Sequence, residues 1–181
     1  MKKNVWIVPI VLVLALILNS CGTQQKATVP VTTPVAQEPV VAVDPLKEVI
    51  SIADALDMYQ NPDKVDAITK KYGYKLKTNY EVYRLDKFSK MYYKNCALAK
   101  LLTADKYEDY PKPMRKGVSS YVAFKDGAII IAVFNQPAYD NLVAQVKAAG
   151  FTLDMPGSED IYTNGSRTIA CYKDGKSVRI Q

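Results

Sequence analysis

The chain has 181 residues, with 24 Lys and Arg against 18 Asp and Glu, three cysteines and no histidine. An apolar fraction of 49% and a charged fraction of 23% are ordinary for a globular protein, and exclude wholesale disorder, a collagen-like repeat and a polytopic membrane protein. The lack of histidine removes Ser-His-Asp and Cys-His catalysis and His-ligated zinc, and three cysteines are too few for a disulfide scaffold or a four-thiolate zinc site.

Lys2 and Lys3 precede an almost wholly apolar run over 5–18, broken only by Pro9. At about 14 residues the run falls short of the roughly 20 that span a bilayer, and it reads as the core of a signal peptide over residues 1–20. Leu18-Asn19-Ser20-Cys21 follows, with Gly22 next. This motif resembles the lipobox of bacterial lipoproteins, with an aliphatic residue three before a cysteine and small or polar residues between. The resemblance implies cleavage before Cys21, a diacylglyceryl thioether on its sulfur and an acyl chain on its amine. Two or more acyl chains hold a protein stably on a membrane. The residue after the cysteine is Gly22 rather than aspartate, and the first acidic residue is Glu38. Both features point to the outer membrane, facing the periplasm; in a Gram-positive source the same anchor would face outward.

Residues 21–45 form the lipidated N-terminus and a tether rich in Thr, Val, Gln and Pro, with Pro30, Pro34, Pro39 and Pro45. Proline favours an extended polyproline II chain, which at about 3.1 Å per residue would reach roughly 75 Å.

Residues 46–181 read as one globular domain. Asp44-Pro45 looks like a helix cap, and Leu46, Val49, Ile50 and Ala53 repeat with helical spacing, predicting a helix to Tyr59. Asn61-Pro62 opens a second helix with Val65, Ile68 and Tyr72 on one face, ended by Gly73. The period then changes to two, predicting strands over 74–78, 80–85 and 91–95. Over 97–102 local propensity favours helix. Residues 103–117 read as a polar loop. A hairpin is predicted over 118–125 and 128–134, with Asp126-Gly127 as a type I′ turn. A third helix opens at Asn135-Gln136-Pro137, buries Tyr139, Leu142, Val143 and Val146, and stops at Gly150. Strands follow over 151–154, 161–163, 168–173 and 177–180, the last pair turning at Asp174-Gly175.

The predicted class is α+β, two-layered, with helices packed on one face of an antiparallel sheet. Gly73-Tyr74-Lys75-Leu76 lines up with Gly150-Phe151-Thr152-Leu153, and Tyr93-Lys94-Asn95 with Tyr172-Lys173-Asp174. These matches suggest two helix-plus-meander repeats, 61–102 and 135–181. The repeat would place a strand over 97–102, against the helical propensity there. Element order and repeat length resemble the β-lactamase-inhibitor-protein type of fold and, more loosely, the small lipoproteins of the outer-membrane barrel-assembly machinery. No motif matches residue by residue, so neither activity is carried over.

Candidate chemistry is sparse. Cys96 and Cys171 could form one disulfide in an oxidising envelope, or sit as small hydrophobes. Asp105, Glu108 and Asp109 make one carboxylate cluster, and Glu159 with Asp160 another; neither spacing fixes the two-carboxylate geometry of a glycosidase, and both read as solvated surface. Residues 64–117 hold 14 Lys and Arg against 6 Asp and Glu, whereas residues 118–181 hold 6 of each. Tyrosines interleave with the basic stretch, and Tyr80, Tyr83, Lys87, Lys90, Tyr92 and Lys94 are the candidate binding residues. An envelope location argues against nucleic acid and for an anionic glycan, lipid or protein face. The alternative is that many of these tyrosines fill the core.

The sequence therefore predicts a non-catalytic, membrane-anchored envelope module that binds a protein or an anionic envelope component, with no cofactor and no metal. The alternatives are an inhibitor or immunity-type protein that blocks an enzyme and, behind it, a hydrolase using carboxylates, Tyr or Lys. Replacing Cys21 with Ala is expected to move the protein from the membrane fraction to the soluble fraction; retention in membranes would refute the lipid anchor.

Overall fold

The computed structural model describes residues 42–82, 86–108 and 110–181. The signal peptide, Cys21, the tether up to residue 41, Tyr83 and Asp109 lie outside the described residues.

The first helix, α1 (Ile52–Gln60), begins six residues later than the sequence reading places it. Its cap is Ser51, whose Oγ accepts from the Asp54 N–H at 3.0 Å. The preceding residues serve the core instead: Val49 and Ile50 are buried, and the Ile50 N–H donates to the Tyr74 hydroxyl. A 3-10 turn (Pro62–Lys64) leads into α2 (Val65–Lys71), and Gly73 leaves it at a φ of 77°, in the left-handed region that glycine enters most easily.

The chain then enters β1 (Lys75–Val82) and β2 (Asp86–Lys94), which pair antiparallel. The sequence reading breaks this first strand at Asn79, and the structure shows why. Asn79 has a φ of 50°, and beyond it Tyr80 joins Phe88, Met91 and Ala123 in a second, smaller cluster away from the helices. Residues 95–119 form an insertion with β3 (Cys96–Ala97), β4 (Leu101–Thr103), β5 (Lys106–Tyr107) and β6 (Lys112–Pro113). The expected helix over 97–102 is absent, and two strands stand in its place: β3 pairs with β6 and β4 with β5. Burial decides against propensity here, because Leu98 and Ala99 pack on the second cluster and the Ala99 N–H donates to the Tyr80 hydroxyl at 2.9 Å.

The hairpin β7 (Ser120–Lys125) and β8 (Ala128–Val133) turns at Asp126-Gly127 with positive φ at both residues, the type I′ turn read from the sequence. Next comes α3 (Gln136–Ala148), capped by Asn135, whose Oδ1 accepts from the Ala138 N–H. Four strands end the chain: β9 (Thr152–Met155), β10 (Glu159–Thr163), β11 (Thr168–Tyr172) and β12 (Ser177–Ile180).

Eight strands form one antiparallel sheet in the order β1-β2-β7-β8-β12-β11-β10-β9. It consists of two four-stranded meanders joined where β8 pairs with β12. The first meander runs past residue 102, because its third and fourth strands are β7 and β8. The sequence alignment of Tyr93 with Tyr172 therefore sets a residue of the second strand of one meander against one of the third strand of the other, and the segment 61–102 does not contain a whole meander.

The helices cover one face. Ile129, Ile131, Val178 and Ile180 from the joining strands meet Ile52, Ala55, Leu142 and Val146 in the main core. Gln145, buried on α3, accepts the Ile52 N–H at 3.0 Å and so ties the start of α1 to α3. Ile131 is fully buried at the join. Ile131→Ala is expected to lower stability by about 2–5 kcal/mol, read as a reduced denaturation midpoint; an unchanged midpoint would contradict this placement of the core.

Candidate functional site

The sequence-predicted binding residues do not come together. Tyr92 is buried and donates its hydroxyl to Asp66 of α2; burial first, and then that carboxylate, hold its pKa well above the usual tyrosine value. Tyr80 is buried in the second cluster. Lys94 donates to the Tyr72 carbonyl at 2.7 Å and pairs with Glu48 at 2.6 Å, tying the pre-helical segment to β2. Lys87 and Lys90 are exposed on β2, where the register sets them opposite Glu81 and Thr78 of β1, while Lys75 and Lys77 of β1 are exposed opposite Tyr93 and Met91. Half of the basic, tyrosine-rich stretch is thus framework, and its exposed part is a lysine-bearing edge.

Cys96 and Cys171 are free and buried. The Cys96 thiol lies against the Ser120 carbonyl at the start of β7, while Cys171 sits in β11. Between those strands run β8 and β12, so the separation is about three strand spacings, or ~14 Å, beyond the reach of a disulfide. Burial pushes the Cys96 thiol up to about 11 and the Cys171 thiol to about 12, far from a reactive thiolate. The carboxylates are also engaged. Glu108 pairs with Lys112 and accepts the Lys100 N–H; Glu159 meets Arg179 at 2.6 Å; Asp160 accepts the Gly157 N–H. Among the described residues, no three His, Cys, Asp or Glu side chains gather as metal ligands, and no helix is long and apolar enough to cross a membrane.

The candidate site is on the sheet face away from the helices. Strand register sets Tyr121, Ala132, Ser177, Tyr172 and Glu159 side by side across β7, β8, β12, β11 and β10. A large, small, small, large order leaves a hollow two strands wide over Ala132 and Ser177. Phe134, just past β8, meets Tyr121 edge to face with ring centroids 6.1 Å apart. Tyr110 and Pro111 approach from the insertion, and Phe88 and Ile130 also line the hollow. The result is a cavity of about 520 Å³, within the range of small-ligand sites.

The turn after β11 completes the wall with Asp174 and Gly175. A Cβ on Gly175 would stand 2.4 Å from a ring carbon of Tyr172, so glycine is what lets that ring lie over the turn. The next row of the same face runs Ile130, Arg179, Ala170, Ile161 and Met155. The insertion covers β1, β2 and β7 on this side; among the described residues no layer covers β9 to β12. Met155 is 61% exposed and Tyr172 36%.

Sequence reasoning missed this site because it depends on β8 lying beside β12, which no local signal reveals. The alternation of β7, β8 and β12 and the Asp174-Gly175 turn were the available traces. Comparison with protein-family models, with characterised proteins and with solved structures gives no match.

Two measurements check the buried thiols. Both are expected to resist alkylation at about pH 8 in the folded protein and to react in denaturant; rapid native alkylation would contradict their burial. The folded protein also keeps the protons of Cys96, Cys171 and Tyr74 to higher pH than the unfolded chain, whose cysteines start to ionise around 9.0. Stability is therefore expected to be full below about pH 8.5 and to fall as the pH rises toward 11, read by denaturant titration at each pH.

Proposed function

We propose that this chain is a non-catalytic, lipid-anchored envelope protein whose tethered domain binds an envelope protein or an anionic envelope component. The observation that carries this reading is the unequal cover of the sheet. Three helices cover the middle of one face, leaving Leu76 and Leu153 exposed on its two edge strands, while on the other face no layer among the described residues covers β9 to β12 beside an aromatic-lined hollow. Exposed apolar side chains such as Met155 and Tyr172 beside a hollow mark an interaction or ligand-binding surface. Among the described residues, the hollow is lined by one acidic residue, Asp174. The lysines of β1 and β2 offer a separate edge for an anionic component, and the lipid at Cys21 with its tether would let the domain search at a distance from the bilayer.

The same open face would suit an inhibitor that covers an enzyme. What favours that second reading is the sheet itself, two meanders joined into one broad surface with an exposed tyrosine.

Co-sedimentation tests the proposal. A chain starting at Asp44, first shown to be folded by circular dichroism, is mixed with peptidoglycan, outer-membrane vesicles or envelope protein extract at low and high salt. Salt-resistant binding to protein that is lost in Ile161→Asp or Met155→Asp would assign the open face. Salt-sensitive binding lost in Lys75→Glu with Lys77→Glu would assign the basic edge to an anion. No binding in any arm would overturn the proposal.

A further inference from the structure

We infer that the hollow over Ala132 and Ser177 is a cage for a small ligand bearing a quaternary ammonium group. This inference rests on the reading of that sheet face as a binding face.

Five aromatic side chains, Phe88, Tyr110, Tyr121, Phe134 and Tyr172, line the cavity. Their ring faces are electron-rich, and cations held against such faces are attracted by about 0.5–1 kcal/mol when exposed and about 2 when desolvated. Tyr121 and Phe134 make a corner at 62°. Tyr172 is fixed at the other side by lying over Gly175. Among the described residues, Asp174 is the only charged one that lines the cavity, in a chain with 24 Lys and Arg. Lys173 and Lys176 flank Asp174 in the same turn but do not line the cavity. The one charged residue that lines the cavity is thus an anion, within a basic protein.

Polarity selects the kind of cation. A primary ammonium carries three donors and is strongly hydrated, so it needs acceptors when it leaves water. The acceptors present, Asp174, Ser177 and the tyrosine hydroxyls, would also serve a primary ammonium, so what favours the quaternary one is the number of aromatic walls. A sugar would likewise need many paired hydroxyls. A quaternary ammonium needs none, and its methyl groups match the aromatic walls together with Ala132 and Ile130. At about 520 Å³ the cavity admits such a head group with a short chain.

The test uses the full chain in a non-ionic, choline-free detergent. Choline is titrated, and binding is followed by ligand-observed NMR of its N-methyl protons. The probe for charge is 3,3-dimethylbutan-1-ol, the neutral isostere. Saturable choline binding at millimolar or lower concentration is expected, with the isostere about tenfold weaker. Tyr172→Leu is expected to weaken binding about tenfold and Tyr172→Phe to preserve it, while Gly175→Ala should reduce it by displacing the ring. Asp174→Asn should weaken binding severalfold. Equal affinity for the isostere would overturn the inference, as would choline binding indifferent to Tyr172→Leu and Asp174→Asn, or no binding. If choline fails while Met155→Asp still abolishes partner binding, this inference falls and the binding-face reading stands.

Discussion

The whole fold depends on the pairing of β8 with β12. Each meander holds its own four strands, but only this antiparallel pair makes them one sheet. It sets Ile131 opposite Val178 and Ile129 opposite Ile180, branched residues that suit a pleated surface and point into the main core. Both α1 and α3 lie over these strands. The hydrogen bond from the Ile52 N–H to Gln145 then locks the two helices to each other above the join. A buried amide left without that acceptor would cost about 1–3 kcal/mol, so the helical layer is held in a single arrangement.

The same join creates the site. By bringing β12 beside β8 it places Ser177 next to Ala132, and so opens a hollow between Tyr121 and Tyr172. The insertion, which covers Phe88, Met91 and Ala123, stops at Tyr110 and Pro111 on the rim of that hollow. Beyond it the strands of the second meander leave Met155 exposed and Ile161 half-buried. One face thus carries the helical layer and the main core, and part of the other stays open.

Local signals were legible in the sequence where one residue controls the backbone. Asp126-Gly127, Asn135, Gly73 and Gly150 each mark a turn or a helix end that the structure has. The alternating strands of the second meander and the α+β class were legible for the same reason. Long-range choices were not. Leu46 has the spacing of a helix residue, yet it sits before the helix, because Val49 and Ile50 fill the core and Ser51 caps better. The 97–102 segment has helical propensity, yet burial of Leu98 and Ala99 against Tyr80 and Phe88 holds it extended. The tyrosines of the basic stretch looked like a binding surface from composition. Tyr92 and Tyr80 are framework, while the exposed ring that shapes the hollow, Tyr172, lies in the electrically neutral second half.

The central claim is that contact is made through the open sheet face and not through the helices. The most direct measurement places a photo-crosslinking amino acid at Met155, at Ser177 and, on the outer side of α2, at Lys70, with irradiation of intact cells. The account predicts discrete adducts from Met155 or Ser177 and none from Lys70. Adducts from Lys70 alone would contradict it.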